Sequence, residues 1–141
     1  QFDARRDAYA EAVREADVAP EFIVVPAPFD RAAADAALTR YIERHGRPGA
    51  IFCFNDDSAI GALRALKRLG ARVPQDTALV GCDGIQDTEY MDPPLSTVVQ
   101  PVGEMCAAAW RFLKRRFEQP TLPMQQAVLK PRLEVRESAR R

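Results

Sequence analysis

Cysteine is scarce. Three thiols, Cys53, Cys82 and Cys106, are spread over 141 residues with no Cys-x-x-Cys pair. That excludes a disulfide framework and a cysteine-based zinc site, and each thiol has apolar neighbours among which it behaves as a small hydrophobe. Histidine occurs once, as His45 beside Gly46, in what reads as a solvated loop. No Ser or Cys has an evident basic partner for a nucleophile–base pair, and neither a Gly-x-Gly-x-x-Gly nor a phosphate loop is present. The chain therefore reads as not an enzyme, with no cofactor and no metal implied. Charge of one sign is also lacking, since 20 basic and 20 acidic side chains cancel. Gripping nucleic acid requires a cationic surplus that this segment does not have. No apolar run approaches the ~20 residues of a membrane span. Residues 1–7 lack the basic start and apolar middle of an export signal. The expectation is a cytoplasmic protein with no membrane partner.

What is present is an ordinary globular mixture, 47 % apolar and 28 % charged. A chain of this length buries roughly 70 % of its unfolded surface and needs no cross-link. Helical and strand periodicities alternate along it. The pattern predicts a helix from about Asp3 to Ala16 and then a short buried strand at Phe22–Val25, closed by Pro26 and Pro28. Asp30 suits the N-cap of a second helix carrying Ala34, Ala37, Leu38, Tyr41 and Ile42, which Gly46 stops. Ala50–Phe54 is a continuous apolar run, as in a strand covered on both faces. A third helix carries Ile60, Leu63, Leu66 and Leu69, and Ala78–Cys82 is a further buried strand. Asp83–Pro94 reads as irregular with at most a helical turn, Ser96–Val99 as extended, and Pro101 as the start of a helix through Phe117. Ala127–Leu129 and Arg132–Arg136 are two closing extended pieces. The fold class implied is α/β, a three-layer parallel sheet with crossover helices.

In open α/β sheets, ligands bind beyond the carboxyl ends of the strands. Asn55-Asp56-Asp57 and Asp83 fall at two such ends, and Phe29-Asp30 follows the first expected strand. Asn55 offers both acceptor and donors to a hydroxyl, whereas Asp83 only accepts. Phe29 suits stacking on a flat ligand or packing in the core, and Arg5 suits paired donation to a diol, carboxylate or phosphate. Asp56 and Asp57 read more simply as cap or first-turn residues of the third helix. Asp83 reads equally as a turn former. A Mg²⁺ site at the acidic cluster lacks a matching acidic pair near the chain start and a placed lysine. Lys114-Arg115-Arg116 reads as a solvated helix face.

Ala50-Ile51-Phe52-Cys53-Phe54-Asn55-Asp56-Asp57-Ser58-Ala59-Ile60-Gly61-Ala62-Leu63-Arg64-Ala65-Leu66 resembles the lac repressor (LacI/GalR) family of bacterial transcription regulators. The likeness continues through Leu69–Asp76, Leu79–Asp83, Pro93–Pro101 and Leu129–Ser138 in the same order. The resemblance implies a periplasmic-binding-protein-like subdomain that binds a small sugar-like or nucleoside-like effector. Residues 1–97 would be the C-terminal subdomain core. Residues 98–124 would be a crossover with a helix normally on the N-terminal subdomain, and 125–141 a returning strand and tail. It implies effector contacts at Arg5, Phe29, Asn55 and Asp83, and a homodimer face at Ile60, Leu63, Tyr90 and Met91. DNA would be contacted only through a domain absent from this chain. Two positions depart from the family pattern: Ala8 stands where a glycine is usual, and Gly84 where a second aspartate is. The family's first strand is also missing ahead of the first helix, and the expectation is that another copy of the chain fills that gap by swapping or edge pairing. The alternative reading, on the same fold, is a fragment of a solute-binding protein serving a transporter.

Overall fold

The computed structural model describes residues 4–27 and 29–140. Asp3 and Pro28, expected as a helix start and a strand stop, lie outside them. The elements in chain order are α1 (Ala4–Glu15), α2 (Arg31–His45), β1 (Ala50–Phe52), α3 (Asp56–Arg68), β2 (Ala78–Asp83), β3 (Ser96–Val99), α4 (Val102–Glu118) and β4 (Arg132–Glu134). Short 3-10 turns occupy Gln86–Glu89 and Glu137–Ala139. The sheet runs in the order β1-β2-β3-β4. β1, β2 and β3 are parallel, with Ile51 opposite Leu79 and Gly81 opposite Thr97. β4 returns antiparallel, with Leu133 opposite Val98, so the sheet is mixed rather than all parallel.

The helices begin where their caps dictate. The Asp30 carboxylate accepts from the amides of Ala32 and Ala33 at 2.8 and 3.1 Å. Gly46, at φ 85°, ends α2 with its amide donating to the Ile42 carbonyl. α3 carries Asp56 and Asp57 in its first turn and Lys67 and Arg68 in its last, each sign matched to the helix dipole. α3 supplies more of the core than any other element. Ala59, Ala62, Leu63, Ala65 and Leu66 are buried with Leu38 of α2, Leu79 of β2 and Leu95. α2 lies so close on α3 that a Cβ on Gly61 would collide with the Arg31 carbonyl oxygen and lie 2.9 Å from the Ala34 Cβ. Asp35 of α2, nearly buried, is paired with Arg68 at 2.9 Å and with Arg64 at 3.5 Å. The hydrogen bond from Arg68 holds its carboxyl below the ordinary value.

Three expectations are corrected. Residues 22–25 form no strand and pair with none among the described residues. Side chains hold the segment instead. The Tyr9 hydroxyl donates to the Glu21 carbonyl at 3.2 Å, the Tyr41 hydroxyl donates to the Glu21 carboxylate, and Phe22 packs edge-on against Tyr9 with centroids 5.5 Å apart. An apolar groove of about 580 Å³ runs between this segment and β1, lined by Ile23, Val25, Leu38 and Ile51 among others. Second, Ala50–Phe54 is not covered on both faces. Cys53 is buried and Ile51 packs on the core, but Phe52 and Phe54 are each 41 % exposed, the alternation of a strand with one open face. Third, Ala127–Leu129 is no strand. Pro131 cannot donate to a ladder, and pairing with β3 starts at Arg132.

α4 stands largely clear of the core, with Ala108 as its only buried residue, and Val102, Trp110 and Phe117 are exposed. The third layer is correspondingly thin. The C-terminal end, by contrast, is locked in. The buried Ser138 hydroxyl donates to the Leu79 carbonyl at 2.6 Å and accepts from the Ser96 amide at 2.8 Å. The Arg136 guanidinium, 14 % exposed, donates to the Leu95 carbonyl, the Thr88 hydroxyl and Glu89. Gly61→Ala is expected to cost about 1–3 kcal/mol through this overpacking of α2 on α3, read as a lowered denaturation midpoint. Gly103→Ala, where a Cβ meets nothing within 4 Å, is the matched control.

Candidate functional site

Parallel pairing brings the carboxyl ends of β1 and β2 side by side, so Phe54 and Asp83 leave the sheet at the same edge. α1 lays Arg5 across them. One guanidinium nitrogen donates to the Phe54 carbonyl at 2.6 Å and the other to the Asp83 carboxylate at 3.3 Å. The guanidinium carbon also stands 4.6 Å from the centroid of the Phe54 ring, a cation–π contact. The Arg5 and Asp83 side chains are each about one-third exposed, at 33 % and 32 %. A planar donor and an acceptor thus sit together, positioned by protein and open to solvent.

Asp83 is held against its backbone preference. Its φ is 126°, a region costing a non-glycine residue about 1–3 kcal/mol. Gly84 follows at φ 78°, and a Cβ there would lie 2.8 Å from a Val99 methyl. The absence of a second acid after Asp83 is therefore enforced by this backbone. Burial pushes the Asp83 carboxyl above its ordinary value; the nearby Arg5 guanidinium pulls the other way, and the Asp56 charge adds to the rise.

Asn55 is placed differently from the expectation. Its side chain is 1 % exposed, and its carbonyl oxygen caps α3 by accepting from the Ser58 amide at 2.8 Å. It stands beneath the site rather than facing solvent. Phe29 is 71 % exposed on the turn leading into α2. Two residues on, Arg31 ties that turn to Asp57 at 2.7 Å and to Asp87 at 2.9 Å. Of the expected dimer residues, Tyr90 is 77 % exposed, Ile60 and Met91 are half-buried, and Leu63 is 1 % exposed. Leu63 points into the core between α3 and the sheet, so no partner reaches it. Three participants escaped the sequence reading. The Phe54 carbonyl and ring fix Arg5. Asp56 is buried and bonded to the backbone that follows Asp83. Thr97 bonds the same carboxylate. Gly81, two residues before Asp83, was the available signal, because a glycine inside a strand marks a close approach.

The apolar groove along β1 has Arg5 and Phe54 in its lining, but most of that lining is apolar and suits packing rather than a polar ligand. Burial pushes the Cys53 thiol up to about 12, leaving it inert. Among the described residues, no three His, Cys, Asp or Glu side chains are grouped to hold a metal, and no helix is long and apolar enough to cross a membrane.

The sequence profile described as periplasmic binding protein-like domain matches residues 1–139. The chain belongs to this family. Its similarity is to the LacI-type regulator branch of the periplasmic binding protein-like domains. The ribose operon repressor of Haemophilus influenzae is 35 % identical over 136 residues, covering 95 % of this chain and 41 % of the repressor. A LacI family transcriptional regulator from Arthrobacter sp. FB24, solved in complex with lactose, is 33 % identical with a TM-score of 0.88. That alignment covers 99 % of this chain and 51 % of the regulator. A LacI family regulator from Enterococcus faecium with bound ribose is 26 % identical with a TM-score of 0.84, covering 96 % of this chain and 51 % of the neighbour. This periplasmic binding protein-like chain thus spans about two-fifths to half the length of these relatives, a repressor and two transcriptional regulators.

The raised carboxyl of Asp83 has a measurable sign. Folding favours its neutral form, so its stabilising contribution is complete below the ordinary aspartate value of about 3.9 and is lost as pH rises through the higher folded value. Asp83→Asn suffers no such loss. The melting temperature of the variant relative to the parent is expected to climb from acid pH to neutrality, and a difference that is flat or falls with pH contradicts this account.

Proposed function

We propose that this chain is the effector-binding region of a LacI-type transcription regulator, taking a hydroxyl-rich small molecule of the sugar or nucleoside class. The observation that carries the reading is the adjacent pair of Arg5 and Asp83 at the strand ends, both part-exposed and 3.3 Å apart. A vicinal diol donates to such a carboxylate and accepts from such a guanidinium. Phe29 offers an exposed ring to the apolar face of the ligand, and Asn55 fixes the start of α3 below it. Lactose and ribose in the similar regulators support the class. Effector binding would bias the closure of two subdomains and so the spacing of DNA-binding heads carried elsewhere in the protein, in the cytoplasm. No reaction is assigned to the site.

We further propose a homodimer face at Ile60, Tyr90 and Met91, on α3 and the turn after Gln86–Glu89. Tyr90 is a large, exposed aromatic on a short loop, the kind of anchor that interfaces bury. Tyr90→Asp is expected to raise the monomer fraction in sedimentation equilibrium at least tenfold while leaving the melting transition of the monomer unchanged.

The test of the effector site uses the full-length regulator, screened by thermal shift against ribose, lactose and adenosine. A ligand at 100 times its Kd stabilises by about 2.7 kcal/mol. Arg5→Ala and Asp83→Ala are each expected to abolish that shift and the response to effector while leaving operator binding intact. Induction that survives unchanged in Asp83→Ala overturns the assignment.

A further inference from the structure

Asp56 is a carboxylate sealed inside the fold, 1 % exposed, at the first turn of α3. One oxygen accepts from the amides of Gly84 and Ile85 at 2.7 and 2.9 Å, and the other from the Thr97 hydroxyl at 2.7 Å. Gly81 makes this possible, since a Cβ there would collide with the same carboxylate. The two amides belong to the residues directly after Asp83, whose φ of 126° requires that something hold it. The helix dipole explains an acid at this position but not one turned inward through the sheet to the next strand's loop.

We propose that Asp56 is the positioning residue for Asp83: its buried carboxylate anchors the backbone at Gly84 and Ile85 and so keeps Asp83 in its left-handed conformation against Arg5. This rests on the effector reading above for its functional meaning, but its geometry is testable without ligand. Asp56 never touches the ligand, yet affinity at Asp83 depends on it.

The experiment is solution NMR of the whole chain. A small three-bond coupling between the Asp83 amide and α protons reports the positive φ, and slow exchange of the Gly84 and Ile85 amides reports their bonds. In Asp56→Ala the coupling is expected to become large, as in extended backbone, and protection of those two amides to fall at least tenfold more than elsewhere in β2. Asp56→Asn is expected to rescue both, its oxygen serving the two amides and its NH₂ donating to the Thr97 hydroxyl. Unchanged coupling and protection in Asp56→Ala overturn the proposal, as does failure of the asparagine to rescue. Asp83→Gly removes the strain, so Asp56→Ala is expected to lower the melting temperature less in that background. Should Asp56→Ala alone not fold, folding of Asp56→Ala/Asp83→Gly supports the proposal and its failure to fold overturns it. Ribose and lactose titrated into the same variants separate the two claims. Unchanged affinity where Asp83 has demonstrably moved refutes the effector role of Asp83 and leaves the anchoring by Asp56 standing.

Discussion

The close approach of α3 to both the sheet and α2 is the constraint on which the other features rest. A helix that buries alanines and leucines on one side and admits Arg31 and Ala34 against Gly61 on another has little freedom to shift or rotate. Its first turn is thereby fixed relative to the ends of β1 and β2. Asn55, Asp56 and Asp57 leave that turn in three directions: to the helix's own amides, to the loop after β2, and to Arg31 of α2. A single well-packed element thus fixes the geometry of a surface site through consecutive polar residues.

The electrostatics of that site follow from unequal burial. Asp56 is sealed and bonded by three donors, whereas Asp83 is part-exposed, strained and accompanied by one guanidinium. The first carboxylate is structural and the second is available. Arg5 is likewise held in place by the Phe54 carbonyl and ring. In the proposed site this means that less rotamer entropy would be lost on binding than for an unsupported arginine.

Much of this was legible in the sequence, for physical reasons that differ by element. α2 and α3 announce themselves through caps, stop glycines and apolar periodicity, and β2 through its buried run. The pairing of Arg5 with Asp83 was approached through the family pattern, and the structure brings the two side chains together. Residues 22–25 misled because Phe-Ile-Val-Val satisfies every local preference for a strand, while strand formation depends on a neighbour that sequence pattern does not reveal. Leu63 misled because helical spacing places Ile60 and Leu63 on one stripe and does not show where that stripe crosses from surface to core. Asn55 misled in a complementary way. A polar residue at a strand end looks accessible, and only the backbone shows that it turns inward to cap α3. The place of Asp56 beside it, in the first turn of that helix, was legible, but its bonds to the loop after β2 were not.

The pinning of Ser138 and Arg136 bears on how the chain can be handled. A hydroxyl wedged between the Leu79 carbonyl and the Ser96 amide makes Ser138 an interior part of the fold, although Glu137 and Arg140 on either side of its turn are exposed. Any shortening or fusion at this end that removes Ser138 therefore takes a hydrogen-bonded plug out of the interior between β2 and β3.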